Sequence, residues 1–302
     1  PADNWLYAIS QYRKAPDGKS DCYPPGNLLQ INPVTGAVRN LGPVLDANGV
    51  PLFDYSYNKG QQGLNDMMLI NSGVVSNGTL YLANGALSGT QKLYKVPLPS
   101  SKNFGAPTPQ GTKIDGSRTV SEDLAVHPDD PGHAWGIVGS NHYGKTGVDW
   151  KKFNANGGPI ILERLDLQTG KAEYFPLTEA QRTTKGGEVL KAETTFGKAW
   201  TYANGNLGFA VGGQSSAGSP GAQIRITNPS SPDRVIQVEE VLWNVPFSYN
   251  TDASSNGLRA EGNPQSDLAV LKQRVFPDDQ NFQKELAQAK EKIGSEFKQY
   301  TF

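Results

Sequence analysis

Pro159-Ile160-Ile161-Leu162-Glu163-Arg164-Leu165-Asp166-Leu167-Gln168-Thr169-Gly170-Lys171-Ala172-Glu173-Tyr174-Phe175-Pro176-Leu177-Thr178 reads as two short β-runs joined by a turn, and it recurs along the chain. Ile161 to Leu167 is rich in apolar residues, Gln168-Thr169-Gly170 supplies the turn, and Ala172 to Leu177 carries aromatic side chains, the pattern of a β-hairpin. Leu29-Gln30-Ile31-Asn32-Pro33-Val34-Thr35-Gly36 repeats its order of Ile/Leu, Asn/Asp, Pro/Leu, any residue, Thr-Gly, and weaker copies stand at Lys92 to Ser101 and Gln223 to Ser231. Equivalent positions Ile31, Val96, Leu165 and Ile226 are 65, 69 and 61 residues apart. A unit that long, holding several strands and no helical periodicity, predicts propeller blades or stacked sheets rather than a sandwich.

The strands around each hairpin fill out the unit. The first unit has Asn4 to Ser10 as a strand, then a loop from Gln11 to Gly26. The second offers Asp66 to Ile70, Gly73 to Ser76 and Thr79 to Ala83, with Asn77-Gly78 as a tight turn, then Leu93 to Leu98 and a loop rich in Pro, Gly and Ser. The third opens at Glu122 to Val126, turns through His127 to Gly132, returns as His133 to Val138 and carries a long loop from Gly139 to Gly158. The fourth has Thr194 to Tyr202, Leu207 to Val211, Gln223 to Thr227 and Arg234 to Leu242. Units two to four thus have about four strands each, while unit one lacks an opening strand that Phe247 to Ser254 would supply by closing the ring. Closure removes two open sheet edges. The expected fold is all-β, a β-propeller over residues 1–272 with four blades favoured and five or six as alternatives.

Residues 273–302 form a separate expectation. Pro277-Asp278-Asp279 is a helix-start signal, and Phe282, Leu286, Ala289, Ile293 and Phe297 make one apolar stripe, so a C-terminal α-helix is predicted to dock on the propeller or on a neighbouring domain. Gly294 inside the stripe argues against a long coiled coil.

Composition narrows the function. A net charge of −1 gives no basic footprint for nucleic acid or an anionic membrane, and no run of about 18 apolar residues is present to span a bilayer. Pro1-Ala2-Asp3 fits either a mature start after a signal peptide or a cut within a longer chain. The single cysteine, Cys22, has no partner for an internal disulfide and no histidine nearby in sequence to activate it. Gly-x-Ser-x-Gly, Walker and Gly-x-Gly-x-x-Gly sequences are absent in the contexts that would give them meaning, as are the Ser-x-Asp-x-Gly-x-x-Trp boxes of sialidase-type propellers.

Carboxylates recur where the first strand of each blade begins: Asp66, Asp123, Glu193 and Asp252, spaced by 57, 70 and 59 residues. Four acids round a narrow mouth would repel one another without a cation among them, and oxygen-only ligation favours calcium or magnesium. The competing reading makes them turn and strand-cap residues that bond local backbone. His127, Asp129, Asp130 and His133 form a compact cluster around Pro-Asp-Asp-Pro-Gly, which reads as an exposed turn before it reads as a zinc site. His142 stands alone. Trp135, Trp150, Trp200 and Tyr143 have the surface to stack a sugar, although filling the space between blades is the commoner use of such rings.

Two stretches carry a resemblance. Leu29 to Gly36 followed by Asn40-Leu41-Gly42-Pro43-Val44, and Asn250-Thr251-Asp252-Ala253-Ser254 followed by Ser266-Asp267-Leu268-Ala269-Val270-Leu271-Lys272, resemble the propeller-like N-terminal head of wall-anchored surface proteins of Gram-positive actinobacteria. The resemblance covers roughly residues 4 to 272 and implies a secreted or cell-surface adhesion domain. Adjoining stalk modules and a sortase-fixed end would then belong to a longer parent. After Lys272 the chain departs from that pattern, and no sorting motif is present. The functional expectation is a non-enzymatic recognition head that binds a protein or glycan on another cell or host surface. The alternative is a calcium-dependent hydrolase of lactonase or glycan-hydrolase type, and a spacer without a ligand is the third reading.

Overall fold

A computed structural model describes residues 5–10, 23, 26–32, 35–53, 70–84, 92–99, 108–153, 157–211 and 220–243. They form four antiparallel sheets in which strands adjacent in sequence are adjacent in space. The first holds β1 (Leu6–Ile9), β2 (Asn27–Ile31) and β3 (Val38–Pro43). The second holds β4 (Ile70–Ser76), β5 (Thr79–Asn84), β6 (Lys92–Pro97) and β7 (Thr112–Lys113). The third holds β8 (His133–Ile137), β9 (Ile161–Asp166) and β10 (Ala172–Pro176), and Ala125 adds a fourth, innermost segment by bridging to Trp135. The fourth holds β11 (Lys198–Thr201), β12 (Leu207–Ala210), β13 (Gly221–Thr227) and β14 (Val235–Leu242).

The repeated hairpin is built the same way in blades one and three. Asn32 and Asp166 each end the first strand and turn a side-chain oxygen onto the following backbone: Asn32 accepts from Thr35 N at 3.1 Å, and Asp166 accepts from Gln168 N and Thr169 N at 2.8 Å. Gly36 and Gly170 then take left-handed φ values of 71° and 68°. A residue with a Cβ is strained there, which explains the Thr-Gly signature.

Sheets stacked in sequence bury their faces against one another. Ile9, Leu28, Leu80 and Val96 join blades one and two; Val74, Leu93, Leu124, Ala134 and Leu165 join two and three; Trp135, Ile137, Leu162, Phe209 and Ile224 join three and four. Inner segments also touch directly. Ser72 Oγ on β4 donates to Asp123 at 3.1 Å, and Thr201 Oγ1 on β11 donates to Val126 O at 2.8 Å. Consecutive four-stranded meanders, packed face to face with their innermost strands in contact, are the blades of a β-propeller.

Several sequence expectations change in detail. The strand read from Gly73 begins earlier, as β4 running unbroken from Ile70 to Ser76 with a register shift between Ile70 and Ser72, while residues 66–69 lie outside the described residues. The opening strand read over 122–126 is reduced to the bridge at Ala125, and that read over 194–202 to β11. Its fourth strand is the two-residue β7, inside the stretch read as loop, where it pairs Lys113 with Tyr94 and Thr112 with Lys95. The His127 to His133 turn is not simply exposed. Asp130 is only 3% exposed and receives Arg164 Nε at 2.8 Å and Nη2 at 3.0 Å, His133 Nδ1 lies 2.8 Å away, and Ser230 Oγ of blade four donates at 3.1 Å. The ring-closing stretch 247–254, Cys22 and the predicted helix over 277–302 lie outside the described residues.

Burial pushes the Asp130 carboxyl up, and the bonds and charges of Arg164 and His133 outweigh it, leaving the group below its ordinary value. Stability from this pair is therefore present above about pH 4, where the unfolded aspartate ionises, and is lost as pH falls through the lower folded value. Asp130→Asn should cost about 3 kcal/mol at pH 7, because Arg164 is left buried beside a neutral partner, and the difference from wild type should shrink in urea unfolding at pH 3.

Candidate functional site

The two ends of the sheets differ. At one end most connections are tight turns: Asn77-Gly78 between β4 and β5, residues 127–132 before β8, 167–171 between β9 and β10, and 228–234 between β13 and β14; the longer connection from β6 to β7 also leaves from this end, where Leu98 N donates to Gly78 O at 2.9 Å. From the other end leave the long connections that follow β1, β8 and β10. The innermost segments of blades three and four, around 121–123 and 193–195, begin at that second end.

Blade three's innermost segment is held in place by a buried carboxylate. Glu163 on β9 is fully buried and accepts from Thr119 Oγ1 at 2.9 Å, Ser121 N at 2.7 Å and Val120 N at 3.2 Å. The Tyr174 hydroxyl also bonds it. Burial pushes the Glu163 carboxyl up against these bonds, and burial beside Glu163 pushes the Tyr174 phenol up. The strand start is thus fixed by a side chain more than forty residues downstream.

Asp123 and Glu193 both precede an innermost paired segment rather than opening a strand: Ala125 is the bridged residue of the stretch 122–126, and β11 begins at Lys198. Both are almost completely buried, at 2% and 0% exposure. Asp123 Oδ1 accepts from Ser72 Oγ at 3.1 Å and from Leu124 N at 2.9 Å, so it ties blade two to blade three and caps its own segment. Among the described residues no three His, Cys, Asp or Glu side chains gather as a metal site. Asp66 and Asp252 lie outside those residues.

Glu122, beside Asp123, has a different setting. Its side chain is half-buried and accepts a hydrogen bond from the Thr195 side chain of blade four. Burial pushes its carboxyl up to about 7, with the Thr195 bond pulling the other way. The first turn of the long loop after β8 closes over the same junction. Ser140 N donates to Glu193 O at 2.8 Å, and His142 Nδ1 stands 3.2 Å from Val120 O. A Cβ on Gly139 would meet Thr194 O at 2.3 Å, so only glycine allows the loop to lie this close. Burial, then the neighbouring Lys145 charge, holds the His142 imidazole below its ordinary range despite the Val120 carbonyl, and it is neutral at pH 7.

The base of that loop is clamped. The Tyr143 hydroxyl donates to Pro159 O, and the guanidinium of buried Arg182, from α1 (Glu179–Arg182), donates to Gly158 O. Tyr143 packs with Val120, Val138 and Ile161, and the Trp150 ring lies against it at 5.7 Å. Trp135 instead fills the space between blades three and four, 5.8 Å from Phe175, as the commoner reading of these aromatics expects. Trp200 stacks on Tyr202 within blade four at 5.7 Å. Trp243 at the end of β14 is 50% exposed and donates to Glu188 at 3.0 Å.

Two features were not singled out from sequence. The choice of Asp123 over Glu122 had no signal to correct it, because adjacent acids at a strand start look alike until their partners are known. Glu163 stood in the organising hairpin as a charged residue within an apolar run, which is itself a sign of a buried partner.

A repeat-built β-propeller with one loop-rich end is the class these features define. The chain belongs to the family described as a repeat of unknown function, DUF6923, which it matches over residues 1–257. No curated protein matches it. Among solved structures, a GH43_1 enzyme from Xanthomonas citri complexed with xylotriose is 16% identical over 80% of this chain and 77% of the enzyme chain, with a TM-score of 0.38. Among the described residues no helix is long and apolar enough to cross a membrane.

The Glu122 setting has a thermodynamic signature. An acid whose folded value is raised costs stability as pH climbs from about 4, where the unfolded carboxyl ionises, towards 7. Glu122→Gln should match wild type in denaturant unfolding at pH 4 and exceed it by about 2 kcal/mol at pH 8, a figure that already allows for solvent screening of a half-exposed group.

Proposed function

We propose that this propeller is a non-enzymatic recognition domain that binds a protein or glycan ligand through its loop-rich end. The observation that carries the reading is the asymmetry of the sheets: short turns predominate at one end, where the connection from β6 to β7 is the long exception among the described strands, while the long connections after β1, β8 and β10 leave from the other. Connections of that kind tolerate variation on a rigid scaffold and commonly carry recognition. Trp243, 50% exposed, and the partly exposed Trp150 stand at the same end, and tryptophan is among the side chains most often found at binding hot spots. Display on a cell surface, in the manner of the wall-anchored heads that the Leu29 to Gly36 motif resembles, is part of the proposal, with stalk modules belonging to a longer parent chain.

Glu122 favours a second reading. A half-buried carboxyl held near 7 is suited to giving and taking a proton at neutral pH, as hydrolysis of a lactone or glycoside requires. A calcium ion held by Asp123 and Glu193 with Asp66 and Asp252 belongs to that reading. Turnover of lactone or glycoside substrates that Glu122→Gln abolishes, together with calcium binding by calorimetry, would favour the enzyme over the recognition head.

For the first reading, the whole chain is applied to arrays of glycans and extracellular-matrix proteins. Binding to a restricted set is expected, with Trp243→Ala weakening it about tenfold, within the range of an aromatic hot spot. A blank array would leave the spacer reading in its place.

A further inference from the structure

We propose that the junction of blades three and four, formed by Glu122, Thr195 and His142, is a subsite for the hydroxyl groups of a neutral saccharide. This rests on the recognition reading above and names the ligand class that would occupy one part of that end. Three separate stretches of chain converge there. The innermost segment of blade three brings Glu122, that of blade four brings Thr195, and the two are bonded to each other. The loop turn over Ser140–Lys145 is fixed to both: Ser140 N bonds Glu193 O, Gly139 presses on Thr194 and Thr195, and His142 Nδ1 meets Val120 O.

The chemistry of the three groups fits sugar hydroxyls. Each hydroxyl both donates and accepts, and a site for it needs partners of both kinds at fixed positions. Glu122 accepts when ionised and donates when protonated, and with its carboxyl near 7 both forms are present at neutral pH. The carbonyl of Val120 calls for a proton on His142 Nδ1, which in a neutral ring puts an accepting lone pair on Nε2. Thr195 contributes a hydroxyl that can turn. Glu122, Thr195 and His142 themselves carry no fixed positive charge; Lys145 beside His142 and Lys151 over the Trp150 ring are the cations nearest the site, and the anionic glycans of the test probe their pull. Trp150, on the same loop and braced on Tyr143, supplies an aromatic ring of the kind on which sugars stack. The clamps at Tyr143 and Arg182 hold the loop, so ordering costs little on binding.

The test uses the full chain with a panel of neutral gluco-, galacto-, manno- and pento-oligosaccharides alongside sialylated and sulfated glycans and matrix proteins. Binding is read by array and then by calorimetry, with thermal unfolding run on every variant. The expected result is binding to at least one neutral oligosaccharide, weakened at least tenfold by Glu122→Gln and by His142→Ala, with Thr195→Val giving a smaller loss and Thr195→Ser restoring most of it. If a neutral oligosaccharide binds and the folded Glu122→Gln and His142→Ala proteins bind it as tightly as wild type, the junction is not the subsite, although the recognition reading stands. If only proteins or anionic glycans bind, the proposed ligand class is wrong. A chain that binds nothing on either panel overturns this proposal and the recognition reading together.

Discussion

Every sheet in this protein has two faces, and each face has to be taken out of water. A single four-stranded meander cannot do this alone, and packing against one neighbour solves only half of the problem. The structure meets the constraint by giving both faces of blades two and three apolar side chains. Val74 and Leu93 of blade two turn towards blade three, while Leu80 and Val96 turn towards blade one. In blade three, Leu165 faces blade two and Leu162 faces blade four. Neighbouring residues on one strand thus serve different interfaces, as the period-two geometry of a strand dictates. The arrangement puts the strand ends, rather than the sheet faces, in reach of a ligand.

That division shapes where charge is allowed. Among the described residues, the buried charges between blades three and four have partners in place. Asp130 and Arg164 sit in a two-point pair, and the Arg164 guanidinium lies 5.7 Å from the Trp135 ring centre while reaching Glu173 at 3.2 Å. Glu163 is surrounded by donors from the strand start that it fixes. Breaking any of these would strand a charge in a poorly hydrated interior, so they serve the uniqueness of the packing more clearly than its net stability.

The repeat was legible because it is written in local chemistry. Asn32 or Asp166 bracing its own turn, and a glycine at positive φ four residues later, are constraints of neighbouring residues, so sequence order preserves them. The outer strands of blades three and four were readable for the same reason, whereas the opening stretch of each pairs over fewer residues than its apolar run suggests. What could not be read depends on partners far away in the chain. β7 is two residues long and has no pattern of its own; it exists because Tyr94 and Lys95 offer backbone to Thr112 and Lys113. The His127 to His133 turn looks like any solvated Pro-Asp-Asp-Pro-Gly loop until Arg164 arrives from the hairpin of the same blade and Ser230 from the next blade. Asp123 and Glu193 lie just ahead of the inner paired segments of blades three and four, and their burial and the role of Asp123 as a tie to Ser72 follow from the neighbouring blade.

The contrast among the carboxylates at the loop-rich end is the firmest guide to what that end can do. Asp123 is committed to Ser72 and to its own backbone, and Glu163 to residues 119–121. Glu122 alone among these three combines partial exposure with a carboxyl held near 7. Burial explains the shift, but the cost of burying that acid would be avoided by a neutral residue of the same shape, and Gln would satisfy the Thr195 hydroxyl as well. A chain folding only for stability has no use for the ionisable form. Retaining a costly acid where two innermost segments and a pinned loop converge is the pattern expected when its second protonation state meets something other than the protein itself.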